Sequence, residues 1–288
     1  MANTETQAAG AATAEAAEGG LLDQILTQSK IARSDTERTR ARDLIAELVA
    51  QVSDGAMVVS KDAIGALDAR IAEIDRVLSE QLSSVMHAPE FQQLEGSWRG
   101  LKYLVDNSET STNLKIKVFN TTKKELVKDF KSASDFDQST LFKKLYEEEY
   151  GTFGGAPFAT LIGDFEFGRH PEDMYLVEEI SHVCAAAHAP FLSAASPELL
   201  GFDDFTELSG PRDLAKIFDT VEYAKWKSFR ASEDSRYVGL AMPHVLGRLP
   251  YGPDTDPVEA FNFVERTDGT DHNKYLWMNA AYALGTKV

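Results

Sequence analysis

Glu179-Ile180-Ser181-His182 carries the Glu-x-x-His spacing with which helical bundles hold paired iron or manganese ions. Such a centre needs a second Glu-x-x-His pair and two further carboxylates. The chain contains no second pair, so the match reads as coincidence. His182, Cys184 and His188 are also metal-ligand types. On a helix that advances about 100° per residue, His182 and Cys184 project about 200° apart, and His182 and His188 about 240° apart. Only Cys184 and His188 share a face, and two ligands do not make a zinc site. Both histidines are expected to pack and to be satisfied by hydrogen bonds.

Two further segments invite chemistry. Gly151-Thr152-Phe153-Gly154-Gly155 has the glycine content of a phosphate loop. Loops that cradle phosphate follow a strand and open a helix. This one follows a predicted helix and opens a predicted strand, and no Gly-Lys-Ser/Thr is present, so it reads as a turn. Asp164, Glu166, Arg169 and His170 crowd the end of a predicted strand, where sites of α/β proteins often lie. They could form an acid-base cluster, or they could tie the strand end to the next helix through ion pairs. No nucleophile motif or cofactor fingerprint accompanies them. Neither a catalytic residue, a metal nor a cofactor is expected.

The elements that position these residues fall into three parts. Residues 1–20 are Ala, Thr, Glu, Gln and Gly with almost nothing to bury, and read as a disordered tail. Leu21 to Ile31 is an apolar island in which Leu22, Ile25 and Leu26 share a helical face with Leu21 beside it. Ser34 and Glu37 have capping-box spacing and predict a helix with the stripe Ile45, Leu48, Val49 and Val52, ended by Ser53-Asp54-Gly55. A second helix is expected from about Ser60 to Val85, where Ile64, Leu67, Ile71, Ile74 and Leu78 alternate by three and four. A third opens at Pro89, with Phe91, Leu94, Trp98, Leu101 and Val105 in the same alternation. These narrow seams suit pairing with another helix. They last about two heptads, short of a free coiled coil. An intramolecular hairpin and a seam that awaits another chain both fit.

From Leu114 the texture changes. LKIKVF, Leu114 to Phe119, alternates like a half-buried strand, and charged helices are predicted near Lys123–Ser132 and Ser139–Tyr150. Pro157–Phe165, Pro190–Ala195 and Arg236–Met242 are near-continuous apolar runs, as strands covered on both faces are. Helices are predicted between them at Glu172–His188 and Arg212–Phe229. Pro250, Pro253 and Pro257 mark a loop, and Asn273–Leu284 reads as a final apolar helix. The fold class is α/β: a mixed sheet with flanking helices, preceded by a helical prefix. The expected domains are an arm over 1–33, a helical partner-binding region over 34–108 and an α/β domain over 109–288.

Composition narrows the function. The chain has 288 residues, 43% of them hydrophobic, and a formal net charge of -17. So acidic a surface repels phosphate backbones and argues against nucleic-acid binding. The six lysines from Lys115 to Lys131 read as the solvated face of a strand and helix. The single cysteine, Cys184, allows no disulfide within the chain and fits a reducing cytoplasm. No signal peptide is visible, and no apolar run approaches the ~20 residues of a membrane span.

Four blocks carry a resemblance. They are PEFQQLEGSWRGLKYLV (Pro89–Val105), GDFEFGRHPEDMYLVEEISHVCAAAHAPFLSAASPELLGF (Gly163–Phe202), RYVGLAMPHVLGRLPYG (Arg236–Gly252) and YLWMNAAYALG (Tyr275–Gly285). In this order they resemble the large subunit of the bacterial type VI secretion contractile sheath. The resemblance runs from about Leu21 to the last residue. The family's chains are longer, so the sequence reads as the N-terminal part of such a subunit, truncated at its C-terminus, with its last helix deprived of its usual packing. The resemblance implies a structural protein that pairs with a small sheath subunit and polymerises into a tube around an inner tube protein. It implies assembly on a baseplate, contraction that drives effector delivery, and disassembly by a cytoplasmic AAA+ unfoldase. Leu21, Leu22, Ile25 and Leu26 sit where the family docks that unfoldase. They are expected to be disordered in the free protein and to fold as a helix on binding. Ile64, Leu67, Ile71, Ile74 and Leu78 sit where the small subunit is expected to pack. The alternatives are an α/β enzyme with a site near Asp164–His170 and a scaffold that homodimerises through its helical prefix.

Overall fold

A computed structural model describes residues 35–53 and 63–288. The expected tail over 1–20, the segment Leu21–Ile31, the Ser34 cap and the Asp54-Gly55 stop lie outside the described residues. The chain divides into two units, Met1–Asp75 and Arg76–Val288. In the first, α1 (Asp35–Ser53) realises the first expected helix, with Ile45 half-buried and Leu44 exposed. α2 (Ala63–Met86) follows the predicted three-and-four alternation. α3 (Pro89–Asp106), in the second unit, begins at the expected proline, whose missing N–H costs nothing in a first turn.

The second unit is built on a parallel sheet of β1 (Leu161–Phe167), β2 (Phe191–Ala195) and β3 (Val238–Ala241), in the order β1-β2-β3. Leu161 lies opposite Phe191, and Phe191 opposite Val238. β2 is central and buried at every position, which is why its sequence reads as a continuous apolar run. The β1–β2 register shifts between Ile162 and Glu166. There the buried Ser193 hydroxyl is shared between the Gly163 and Phe165 carbonyls, at 2.9 and 2.8 Å, in place of ladder bonds. An antiparallel pair, β4 (Val245–Leu246) and β5 (Trp277–Met278), forms a separate small sheet.

α4 (Lys123–Ser132) is opened by a capping box in which Thr122 and Glu125 satisfy each other's amides. It turns Leu126 and Phe130 inward. The next charged helix begins as Thr140–Phe142 and widens into a π-helix at Lys143–Tyr150. α5 (Pro171–Ala187) starts at a proline with Glu172 and Asp173 in its first turn, and ends at His188 in the left-handed conformation (φ 54°). Its buried residues Leu176, Val177, Ile180, Val183 and Cys184 join Phe167 and Phe191 in the core. α6 (Ala224–Ala231) and α7 (Ala280–Gly285) complete the unit. The α/β class and the helical prefix are as expected.

Three elements differ from expectation. Leu114–Phe119 is extended but pairs with no strand among the described residues, because alternation selects an extended backbone without supplying a partner. Arg212–Phe229 is not one helix. Thr220 is extended and divides the 3₁₀ turn Leu214–Asp219 from a second, Val221–Tyr223, which runs directly into α6. Asn273–Leu284 is likewise interrupted. Trp277 and Met278 are drawn into the pairing with Leu246 and Val245. Asn279 then caps the shorter α7, accepting from Ala281 N at 2.8 Å and donating to the Phe165 carbonyl at 2.9 Å.

Candidate functional site

The chemistry-bearing residues are dispersed. His182 Nδ1 lies 2.8 Å from Asp234 Oδ2, and His188 Nδ1 lies 3.4 Å from the Tyr237 hydroxyl. Cys184 is fully buried, and burial pushes its thiol up to about 12, so it holds its proton and is a poor ligand. Burial likewise raises the Glu179 carboxyl beside Tyr175. Among the described residues no group of three His, Cys, Asp or Glu is arranged for a metal. In the glycine loop, Gly155 N donates to the Thr152 carbonyl at 2.9 Å and Gly154 has φ 82°, the geometry of a turn.

The strand-end residues each take a different partner. Asp164 accepts from the Tyr282 hydroxyl, whose pKa is pushed up by burial and by that carboxylate. Glu166 lies 2.7 Å from His244 Nε2, and Arg169 reaches Glu222 at 3.2 Å. His170 Nδ1 accepts from Glu172 N at 3.3 Å and caps α5. A groove of about 1220 Å³ opens beside the strand ends, walled by Asp164, Glu166, Lys123, His244 and Trp277. Lys123 bonds the Glu166 carbonyl and pairs with Asp173. These groups brace the wall, but not as the expected ion pairs to the next helix: Arg169 pairs with Glu222, and His170 meets α5 as its cap.

The partner-binding residues present a different picture. α3 has two apolar faces. Gly96, Gly100 and Leu104, spaced by four, form the buried face. A Cβ at Gly96 would lie 2.6 Å from the Trp277 carbonyl oxygen, and one at Gly100 would lie 2.3 Å from the Tyr282 ring. The missing side chains are what let α3 sit directly on β5 and α7. The predicted stripe points elsewhere. At about 100° per residue it centres about 140° from the buried face. Trp98 is 65% exposed and Leu94 56%, with Phe91 and Val105 also exposed.

α2 repeats this pattern. In the Arg76–Val288 unit its buried face is Ser79, Ser83 and Met86. The two hydroxyls accept from Val264 N at 3.4 Å and Arg266 N at 3.3 Å. Leu78, 44% exposed, continues outward to Leu82 and Val85. In the Met1–Asp75 unit, Leu67, Ile71 and Ile74 of the same helix are exposed, Ile71 by 56%. Ile64 lies in α2, and its side chain is outside the described set.

A buried ion cluster fixes the α2–α3 turn. Arg248 Nε donates to Glu95 Oε1 at 2.8 Å, and Arg248 Nη1 to Glu265 Oε2 at 2.5 Å. Arg99 Nε reaches the same Glu95 oxygen at 2.7 Å and Arg99 Nη2 the Tyr251 hydroxyl at 2.8 Å. His87 Nε2 lies 3.1 Å from Glu265 Oε1. Burial works to raise the Glu265 carboxyl. Hydrogen bonds from Arg248 and the Tyr251 amide, then the Arg248 charge, outweigh it and hold the group below the usual carboxylate range.

Among the described residues the outer apolar faces of α2 and α3 are left exposed, as surfaces that meet other proteins often are. Residues 68–288 match the VipB family model, described as EvpB/VC_A0108, tail sheath N-terminal domain. The chain belongs to this tail sheath family. Over 270 residues it is 50% identical to the type VI secretion system sheath protein TssC1 of Pseudomonas aeruginosa, covering 93% of this chain and 53% of that protein. It thus spans about half the length of that curated relative. Sequence reasoning did not find the two devices that seat α3 in the tail sheath chain. The Gly-x₃-Gly-x₃-Leu spacing of its inner face was a readable signal. The Arg248 cluster had none, since Glu95 and Arg248 stand 153 residues apart.

Proposed function

We propose that this tail sheath chain serves as a structural subunit of the contractile sheath of a bacterial type VI secretion system, without catalysis. In this reading it pairs with a small sheath subunit, and the pairs polymerise around an inner tube protein from a baseplate. Contraction of the polymer drives effector delivery, and subunit contacts store the energy. The location is the cytoplasm. No helix among the described residues is long and apolar enough to cross a membrane. Residues 1–33 act as the arm, 34–108 as the partner-binding helical region and 109–288 as the sheath domain.

The observation that carries this reading is the outward apolar stripe of α2, with that of α3 nearby in sequence. Leu67 to Ile74 in the Met1–Asp75 unit covers about 10 Å of helix at ~1.5 Å per residue, and Leu78 to Val85 in the Arg76–Val288 unit about as much. Each aliphatic side chain covered there contributes about 1.5–3 kcal/mol. A small subunit that lays an apolar helix along Ile64, Leu67, Ile71, Ile74 and Leu78 would bury them. The test is co-purification of a tagged small sheath subunit with the wild-type chain and with Ile71→Asp/Ile74→Asp. Loss of the complex in the double variant, with unchanged circular dichroism, supports the assignment. An intact complex counts against it.

The unfoldase contact is proposed for Leu21, Leu22, Ile25 and Leu26, outside the described residues, on the strength of their shared helical face. So short a segment is below the ~12–15 residues at which isolated helices become marginal. Ordering it offsets most of the gain, so one copy should bind an unfoldase N-terminal domain at about micromolar Kd. A polymer that displays many copies would bind through avidity. A labelled peptide of residues 18–34 is expected to bind that domain, and a Leu22→Asp/Ile25→Asp peptide not to. Equal binding by both would refute the contact.

A further inference from the structure

Leu114–Asn120 was expected to be a strand, and its backbone is extended, yet it stands alone. Leu114 makes the segment's only main-chain hydrogen bonds among the described residues, to Ser111. The amides and carbonyls of Lys115–Asn120 make none. Unpaired backbone in a β-prone run is a template for a strand from elsewhere. The two sides of the segment are unlike. Lys117 reaches across to Glu149 and lies 5.1 Å from the Phe158 ring centroid, and Lys144 lies 5.9 Å from that of Phe119. On the other side Leu114, Ile116 and Val118 wall a hollow of about 420 Å³ with Leu101 and Val105 of α3. Val118 is 72% exposed.

We infer that Lys115–Asn120 is an open strand edge that takes one extended strand of alternating apolar and acidic residues from a partner chain. Main-chain hydrogen bonds to the free edge would supply affinity, and apolar side chains entering the hollow would supply register. Charge selects the partner. Lys115 is exposed, and no carboxylate among the described residues lies within ion-pair distance of it. A second copy of this segment would place lysines against lysines, which is unfavourable across paired strands. An acidic strand places carboxylates there instead. Leu101 lies on the α3 stripe, so the added strand would run beside whatever covers α3.

The probe is a fluorescent peptide of about ten residues, an ordinary strand with its flanks, alternating Val and Glu. A Val/Lys peptide of the same length is the comparison. Anisotropy is expected to favour the Val/Glu peptide by at least about tenfold, or 1.4 kcal/mol. Hydrogen exchange should slow at residues 115–120 when it binds. Val118→Pro removes a donor from an extended, exposed position whose amide has no partner, so the fold should tolerate it and peptide binding should fall by about tenfold. Equal binding of the two peptides, unchanged exchange at 115–120, or full binding by Val118→Pro each overturns the inference. So does a doubled solution mass with residues 115–120 already protected in the peptide-free protein, since that means self-pairing. The probe contains no sheath protein, so failure here is separable from failure of the sheath reading.

Discussion

Gly96 decides how closely α3 approaches the structure beneath it. A methyl group there meets a backbone oxygen at 2.6 Å, and no rotamer change can relieve that contact. Overpacking of this kind costs about 1–3 kcal/mol, against a gain of about 1 kcal/mol from the better helix propensity of alanine. Gly96→Ala is therefore expected to lower the urea midpoint, while Gln93→Ala, exposed on the same helix, leaves it unchanged. Glu265 is the other decisive residue. Its folded pKa is depressed, so its contribution to stability is present above the unfolded pKa and is lost as pH falls through the folded one. Glu265→Gln should cost about 3–5 kcal/mol at pH 7, because Arg248 is left buried with half its compensation. The variant's stability should also fall less steeply than the wild type's between pH 6 and pH 3. Urea titrations at several pH values check both statements, and parallel curves would contradict them. Helix geometry made His182 and His188 legible as hydrogen-bonded groups, and from half-buried and exposed positions they do find Asp234 and Tyr237. The Arg248 cluster was not legible, since its members meet only after the chain has folded back on itself.

At the scale of elements, periodicity was a good guide wherever the element depends on its own sequence. α2, α3, α4 and α5 lie within a few residues of where spacing and caps place them. Periodicity failed where a partner decides. Asn273–Leu284 has a helical pattern, but Val245 and Leu246 claim Met278 and Trp277 for a ladder. Leu114–Phe119 has a strand pattern and lacks a ladder. The same limit applies to faces. The stripe of α3 was visible, but the spacing could not say that its inner seat is the glycine face rather than the stripe. Because Trp98 is 65% exposed, Trp98→Asp is expected to change folding stability by less than about 1 kcal/mol, as surface substitutions do. A core change such as Leu176→Ala should cost about 2–5 kcal/mol. Denaturation of the two variants side by side checks the contrast. A large loss for Trp98→Asp would mean that the stripe is internal structure.

For the whole molecule, the central proposal is that the outer faces of α2 and α3, exposed among the described residues, receive a small sheath subunit. An exposed seam of this kind invites non-specific association in the unpaired protein, so purification with its partner should raise solubility and sharpen the mass distribution. The most direct measurement is light-scattering mass of the chain co-expressed with a small sheath subunit, for the wild type and for Leu78→Asp/Trp98→Asp. The wild type should elute as a stoichiometric complex, and the double variant as the folded chain without its partner. A complex of unchanged mass in the double variant, or a wild-type chain that stays alone and monodisperse beside its partner, would contradict the account.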